Sequence, residues 1–252
     1  MKVTILGSGT STGVPMVGCR CRVCSSDNPK DRRTRASLLI RDRGRNILVD
    51  TSTDLRQQAL REGLDRVDAV LFTHPHADHV NGIDDLRGFH FLHKEVIPCY
   101  ASPATFEILL TGFRYIFFKF NGSDYTPLLS PHEISGPFEL FGLTVTPVPL
   151  EHGKGASLGF RIGKFAYLTD CSAIPDSSLL LLEGLDVLVV DGLRWTPHPF
   201  HFNIEAAIAA VEPIKPARVV LTHLTHEVSH NEQAKLPPGF EFAYDGMVFD
   251  VM

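Results

Sequence analysis

The run AVLFTHPHADH, residues 69 to 79, constrains this chain more than any other stretch. Four apolar residues without a polar break read as a strand buried on both faces. Directly behind them stand His74, His76, Asp78 and His79. Imidazole and carboxylate are natural ligands of Zn, Mn and Fe, and four of them in a tight turn can face two ions from opposite sides. A core role would leave several polar groups to satisfy. The stretch therefore predicts a buried strand that feeds a metal-binding loop.

Four side chains are too few for two ions, so more ligands have to follow, and other apolar runs end in the same residue types. TPVPLEH closes on His152, AYLTD on Asp170 and VVLTH on His223. Ligands gathered from the ends of many strands are how an α/β scaffold builds one site from distant sequence. The stretch LTHLTHEVSH, residues 221 to 230, contains His223, His226 and His230, more than one site would take.

The remaining pattern fits a mixed α/β (α+β) architecture. Strands are expected at 3–6, 36–42, 46–51, 69–74, 143–150, 165–170, 187–192 and 218–223, with Arg43 and Gly44 as a hairpin turn. DLRQQALREG, residues 54 to 63, reads as a helix with Asp54 near its cap and Gly63 past its end. The segment 81–140 is the least regular; FRYIFFKF at 113–120 is its aromatic centre, read as core or subunit interface. GSGTSTGVP at 7–15 follows a strand but lacks the dinucleotide spacing and a following helix, so it reads as a turn-rich loop approaching a ligand with its backbone. Residues 1–252 are expected to form a single domain.

Composition narrows the function. With 44% apolar and 21% charged residues the chain is an ordinary globular protein, and its apolar runs fall far short of a membrane span of about 20 residues. No h-region opens it, so the expected location is cytoplasmic and no membrane partner is expected. A net charge of −5 argues against gripping a nucleic-acid backbone. KDRRTR, with Lys30, Arg32, Arg33 and Arg35, reads as a solvated loop. Five cysteines without an export signal argue against a disulfide framework and for metal binding; Cys99 and Cys171 look like small buried residues. Cys19, Cys21 and Cys24 in GCRCRVC want a fourth ligand; His226, three residues after His223, meets that description for a Cys₃His zinc site, with a redox role as the alternative.

H-x-H-x-D-H followed by His, Asp and His resembles the metallo-β-lactamase superfamily over nearly the whole chain. The resemblance implies an αββα metallo-β-lactamase sandwich with an N-terminal Cys-rich zinc loop and a dinuclear site at one edge of the sheets. By position, His74, His76 and His152 would hold one ion, Asp78, His79 and His223 the other, and Asp170 would bridge them. Asp50 matches an early aspartate that braces the metal loop. The C-x-C-x-x-C motif, LTHLTH and the late YDGM look like the PhnP-type phosphodiesterases, which open a ribosyl 1,2-cyclic phosphate. That likeness implies a structural zinc on Cys19, Cys21, Cys24 and His226, two divalent ions (Mn or Zn) in the active site, and a homodimer.

Two such ions lower the pKa of a shared water and polarise phosphoryl oxygens, so the expected nucleophile is a bridging hydroxide acting on a small phosphodiester. His201, in TPHPFHFN, aligns with the family's catalytic histidine and would protonate the leaving oxygen or bind the phosphate. His201 and Asp78 are the candidate catalytic residues, with His198 weaker. His90, His93 and His132 read as surface residues, and His230 as a surface or supporting one. The alternatives are a tRNA 3′-end endonuclease, a thioester or lactone hydrolase, and a non-catalytic metal-bound partner protein.

Overall fold

Alternation along the apolar runs sets the layering: in SLLIRD, Leu38 and Ile40 face one way and Leu39 the other, each with its own apolar partners. The computed structural model describes residues 1–119 and 127–251. The strands are β1 (Lys2–Gly7), β2 (Ser37–Asp42), β3 (Arg45–Val49), β4 (Ala69–Leu71), β5 (Ile97–Ala101) and β6 (Leu129–Glu133). They continue as β7 (Phe138–Leu140), β8 (Leu143–His152), β9 (Gly155–Ile162), β10 (Phe165–Leu168), β11 (Val187–Asp191), β12 (Arg218–Thr222), β13 (Phe240–Phe242) and β14 (Val248–Asp250). Two seven-stranded sheets result, β14-β1-β2-β3-β4-β5-β6 and β13-β12-β11-β10-β9-β8-β7.

The sheets pack face to face. Val3, Ile5, Leu38, Ile40, Ile47 and Val49 from the first meet Val145, Phe160, Phe165, Tyr167, Val189 and Val220 from the second. The outer face of the first sheet packs on helices that contribute Leu55, Leu86, Phe106 and Leu109. The outer face of the second packs on Ile204, Ala207 and Val211 of the helix Ile204–Val211. These layers are the αββα sandwich. Each fully buried Leu or Val contributes about 1.5–3 kcal/mol, so the strand ends that carry the site rest on rigid supports.

Direction then decides where the polar ends go. β3, β4, β5 and β6 run parallel, as do β10, β11, β12 and β13. The strands β3, β4, β10, β11 and β12 thus deliver Asp50, Thr73 and His74, Asp170, Asp191 and His223 at or just beyond their C-terminal ends. Asp50, Asp170 and His223 adopt φ of 62°, 55° and 60°, a left-handed conformation unfavourable for residues with a Cβ. Such strain is tolerated where surrounding structure over-determines it, and here it coincides with the strand ends that gather histidines and carboxylates.

Several expectations need correction. KDRRTR is not a solvated loop throughout: Arg33 is 2% exposed. Its guanidinium donates to the carbonyls of Thr225 and Val228 and pairs with Asp31 Oδ1 at 3.3 Å. The helix expected at 54–63 spans Leu55–Arg61, and Asp54 at its N-cap makes no side-chain cap. Its carboxylate accepts instead from the Arg35 backbone N–H and guanidinium. The strand expected at 46–51 stops at Val49, because the left-handed turn at Asp50 leaves the sheet. In the aromatic stretch Ile116 and Phe117 are core residues, Phe118 is 38% exposed, and Phe120 lies outside the described residues.

Candidate metal centre and active site

β4 ends in Leu71, and the chain turns through Thr73 into a short helix, Ala77–Val80, that begins within the histidine motif. Asp50 fixes this turn. Its Oδ1 accepts from the Thr73 backbone N–H at 2.8 Å, and its Oδ2 from the Thr73 hydroxyl and from His79 Nδ1, both at 2.7 Å. With Nδ1 so held, His79 presents Nε2 to the centre of the cluster. This is the carboxylate–histidine support that orients metal-binding imidazoles. His74 Nδ1 lies 3.0 Å from the Thr73 hydroxyl and His152 Nδ1 2.8 Å from the Phe200 carbonyl oxygen, so the same device recurs on two further rings.

Two groups of ligand-type atoms result, one of His74, His76, His152 and Asp170, the other of Asp78, His79, Asp170 and His223. Within each group the atoms lie within 4.8 Å of one another, and Asp170 belongs to both. His79 Nε2 stands 3.1 Å from Asp170 Oδ2 and 3.3 Å from Asp78 Oδ2; His223 Nε2 stands 3.4 Å from Asp170 Oδ1. Two ligands on one tetrahedral ion, with bonds of about 2.0–2.1 Å, are roughly 3.3 Å apart. His74 Nε2, His79 Nε2 and both ring nitrogens of His223 are buried without an aligned hydrogen-bond partner. Orphaned buried nitrogens at ligand-to-ligand spacing fit a pair of divalent ions.

The electrostatics agree. Burial alone would neutralise Asp170, yet His223, His79 and His74 hold its carboxyl well below the usual range. Burial likewise opposes charging of His223, and Asp170 and Asp78 outweigh it, raising the ring to about 9. His74 is driven well below its ordinary value by burial and by neighbouring His79. A site of largely buried carboxylates and imidazoles, open to solvent on the side of His76, is built for positive charge at its centre.

A third arrangement was not assigned from sequence. Asp191, fully buried at the end of β11, accepts from His201 Nδ1 at 2.7 Å and from the Cys171 backbone N–H at 3.1 Å through the same oxygen. Its other oxygen faces His223 Nδ1 at 4.0 Å. His201 belongs to neither of those two groups; its Nδ1 lies 3.9 Å from Asp170 Oδ1, and with Asp191 and His223 it forms a third cluster of ligand-type atoms. With Nδ1 engaged, Nε2 is its free nitrogen. The signal was present in VLVVD, which ends in Asp as NILVD and AYLTD do, but its partner ten residues later cannot be read from spacing.

His74, His76, Asp78, His152, Asp170, His201 and His223 line one cavity of about 540 Å³ whose walls include Ser11, Lys154 and Phe200. A smaller trough, lined by Thr10, Thr12, Arg194, His198 and Thr225, shares Ser11 and His201 with it. The loop 7–15 reaches the site as Gly9 bridges Leu224 and Arg35. Asp245 of YDGM secures this loop by accepting from the Ser8 and Thr34 backbone N–H groups and hydroxyls.

The cysteines form a second centre. Cys19, Cys21, Cys24 and His226 place their ligand atoms within 4.8 Å, with His226 Nδ1 3.4 Å from Cys19 Sγ and 3.3 Å from Cys21 Sγ. The Cys24 backbone N–H, then His226, lower the Cys21 thiol to about 6. Burial, then neighbouring Cys19 and Cys21, push Cys24 up to about 11. A cation that stabilises all thiolates together would relieve that opposition. The donor set fits a closed tetrahedral zinc site.

His230 belongs to neither centre: its ring is half-buried against Tyr244 and Phe242 and its backbone N–H donates to Asp31. His132 is exposed, His90 and His93 are partly so, and Cys99 and Cys171 are fully buried. Among the described residues no helix is long and apolar enough to cross a membrane.

Comparison with known proteins gives the same frame. Residues 45–224 match the model of the beta-lactamase superfamily domain. The crystal structure of a new diphosphatase from the PhnP family is 40% identical, covering 100% of this chain and 98% of that one, with a TM-score of 0.93. Zn²⁺-bound PqqB from Methylobacterium extorquens is 26% identical over the full length of both, with a TM-score of 0.80. An octanoyltransferase of Porphyromonas gingivalis is 44% identical over 98% of this chain, which spans about half (51%) of that relative's length. The matched model and the sandwich with its His and Asp cluster at one sheet edge agree: this chain belongs to the metallo-β-lactamase superfamily.

Proposed function

We propose that the protein is a dinuclear-metal phosphodiesterase of the PhnP type, acting on small phosphodiesters and in particular on cyclic ribosyl phosphates. The observation that carries this reading is His201: a histidine outside the two ligand groups, on the cavity wall, held by a buried carboxylate. Hydrolysis of a carbonyl ester or thioester needs less help at the leaving group than expulsion of an alkoxide from phosphorus, which calls for a proton. The similarity to a PhnP-family diphosphatase supports the same choice, and a net charge of −5 speaks against a nucleic-acid substrate.

In this reading His74, His76, His152 and Asp170 would hold one ion, and Asp78, His79, His223 and Asp170 the other. Bound divalent ions, Mn or Zn, supply a water of lowered pKa and polarise the phosphoryl oxygens. Asp78, whose carboxyl is held anionic by His223 and His79 against the cost of burial, steers the attacking water. Asp191 keeps His201 in the tautomer with the proton on Nδ1 and stabilises the ring when Nε2 is also protonated, so that Nε2 can give its proton to the leaving oxygen. Cys19, Cys21, Cys24 and His226 would hold a zinc ion that ties the N-terminal loop beside the cavity. Cysteines kept out of disulfides in this way fit a reducing, cytoplasmic setting.

The test is kcat/KM with Mn²⁺ for ribosyl 1,2-cyclic phosphate, a linear aryl phosphodiester and a 2′,3′-cyclic nucleotide. A preference of about 100-fold for the ribosyl compound, about 2.7 kcal/mol of transition-state selectivity, is expected. Equal rates would leave a phosphodiesterase with another natural substrate, and absence of turnover on all three would overturn the reading.

A further inference from the structure

His152 and His201 come from different elements, the end of β8 and the loop 196–203, yet their ring centroids are 4.8 Å apart. Phe200, one residue before His201, touches both elements. Its carbonyl oxygen accepts from His152 Nδ1 at 2.8 Å, and that carbonyl shares one rigid peptide plane with the His201 backbone N–H. Its own N–H donates to His198 Nδ1 at 3.3 Å.

The ring of Phe200 is seated as well. It lies against Gly153, in the two-residue turn between His152 and Gly155, so closely that a Cβ on Gly153 would collide with it. Gly153 has φ +61°, which a residue without Cβ adopts at no steric cost. The turn is braced from behind: the Gly153 N–H donates to the Ser172 hydroxyl at 3.0 Å, and the Ser172 N–H to the Glu151 carbonyl at 2.7 Å.

This seat matters because Thr196, Pro197 and Pro199 are exposed and bury little that could fix the loop. The chain is pinned again beyond His201, where the Phe202 N–H donates to the Cys171 carbonyl at 2.7 Å. Asp191 holds the His201 ring by Nδ1, but the backbone that carries the ring is set by Phe200 on one side and Phe202 on the other. A rotation of the Phe200–His201 peptide that releases His152 Nδ1 therefore also moves His201. We propose that Phe200 is a positioning residue that locks the proton donor His201 to the ion-binding His152, so that loading of an ion on the His74, His76 and His152 group and placement of the acid occur together. The proposal rests on the phosphodiesterase reading and deepens it.

Two measurements test the lock without turnover. Hydrogen exchange of the segment 198–203 is compared in the full chain stripped of metal and loaded with Mn²⁺. Loading should slow these amides by about tenfold or more in the wild-type protein and leave them nearly unchanged in Phe200→Ala. By calorimetric titration Phe200→Ala should bind one of two Mn²⁺ ions about 10- to 100-fold more weakly, as when a group that orients a metal-binding histidine is lost. Gly153→Ala, whose methyl displaces the ring, should weaken the same ion. Phe200→Ala added to Gly153→Ala should cost no more than Gly153→Ala alone, because both act on one contact. Losses that simply add, or exchange and Mn²⁺ affinity unmoved by Phe200→Ala, overturn the lock.

Turnover reads the acid separately. With aryl phosphodiesters graded by the pKa of the leaving group, Phe200→Ala should lower kcat by about 10- to 100-fold for the poorest leaving group and far less for the best. A loss equal for every leaving group confines Phe200 to metal binding and overturns its role toward His201. If the lock appears in exchange and Mn²⁺ binding while no ester is cleaved, the lock stands and the phosphodiesterase reading falls.

Discussion

The two candidate metal centres lie within a few residues of each other along β12 and the loop behind it, yet they are supported in opposite ways. The His and Asp groups draw on the ends of β4, β8, β10 and β12, and His74, His79, Asp170 and His223 are all at most 2% exposed. The cysteine centre takes three ligands from one loop and the fourth from another, with Cys19, Cys21 and His226 partly exposed. Around it the loop buries little: Val14, Val23 and Cys24, with Met16 packed alongside. Sites on strands hold geometry better than sites on loops. Where ligands must be placed to a fraction of an ångström the chain uses the sheets; where a loop has no core of its own, a bound ion can replace one.

The comparison breaks most severely at Asp170, the side chain common to both His and Asp groups. Asp170→Asn should reduce turnover roughly a thousandfold or more and lower the metal content of the dinuclear groups, while the cysteine centre keeps its zinc. Metal analysis beside kcat reads this directly. Full loading and near-normal rates in the variant would show that the carboxylate bridges nothing.

His201→Ala comes next, with kcat expected to fall by about 10²–10⁴ at unchanged metal content. It separates an enzyme from a metal-bound carrier, since a carrier has no use for a proton donor on the cavity wall. A leaving group of low pKa should recover much of the loss, because it departs without protonation. If the loss is the same for every leaving group, His201 does not act as the acid.

How far these groups could be read from sequence depended on whether a residue's partner was local. The strand ends were legible because apolar runs stop at ligand-type residues, as in AVLFTH and FAYLTD, and because parallel strands bring such ends to one edge. The region 81–140 was not: β5, β6 and β7 are short and the helices Leu86–His93 and Pro103–Gly112 span only about two to three turns, so neither period ran far enough to stand out. Arg33 looked solvated because it sits in a run of charges, and only its distance to Asp31, Thr225 and Val228 shows otherwise. Asp191 ended an apolar run but its role is defined only by a hydrogen bond, and Lys154 carried no motif and is defined by the cavity whose wall it joins. Asp191→Asn tests the first of these, since an amide oxygen can still accept from Nδ1 but carries no charge to stabilise the protonated ring. The expected loss in kcat is about 10- to 100-fold, smaller than for His201→Ala. It should nearly vanish when combined with His201→Ala, because the two act as one unit.

The smallest effect on rate is expected in the cysteine loop. Cys24 is buried, and its sulfur accepts from the Met16 backbone N–H at 3.3 Å, so Cys24→Ser changes a donor atom while keeping the size of the side chain. Loss of one of four ligands should release the zinc. The loop 14–26 should then exchange its amide hydrogens faster, because few apolar contacts remain to hold it. The core sheets, which share no ligand with that centre, should keep their protection, and kcat/KM should fall by about tenfold or less. The route for even that loss is Ser11, which lies just before the loop and lines both the main cavity and the trough. If Cys24→Ser instead abolishes turnover with the His and Asp groups still loaded, the loop shapes the reacting geometry itself, and the contrast between a strand-borne centre for chemistry and a loop-borne centre for architecture fails.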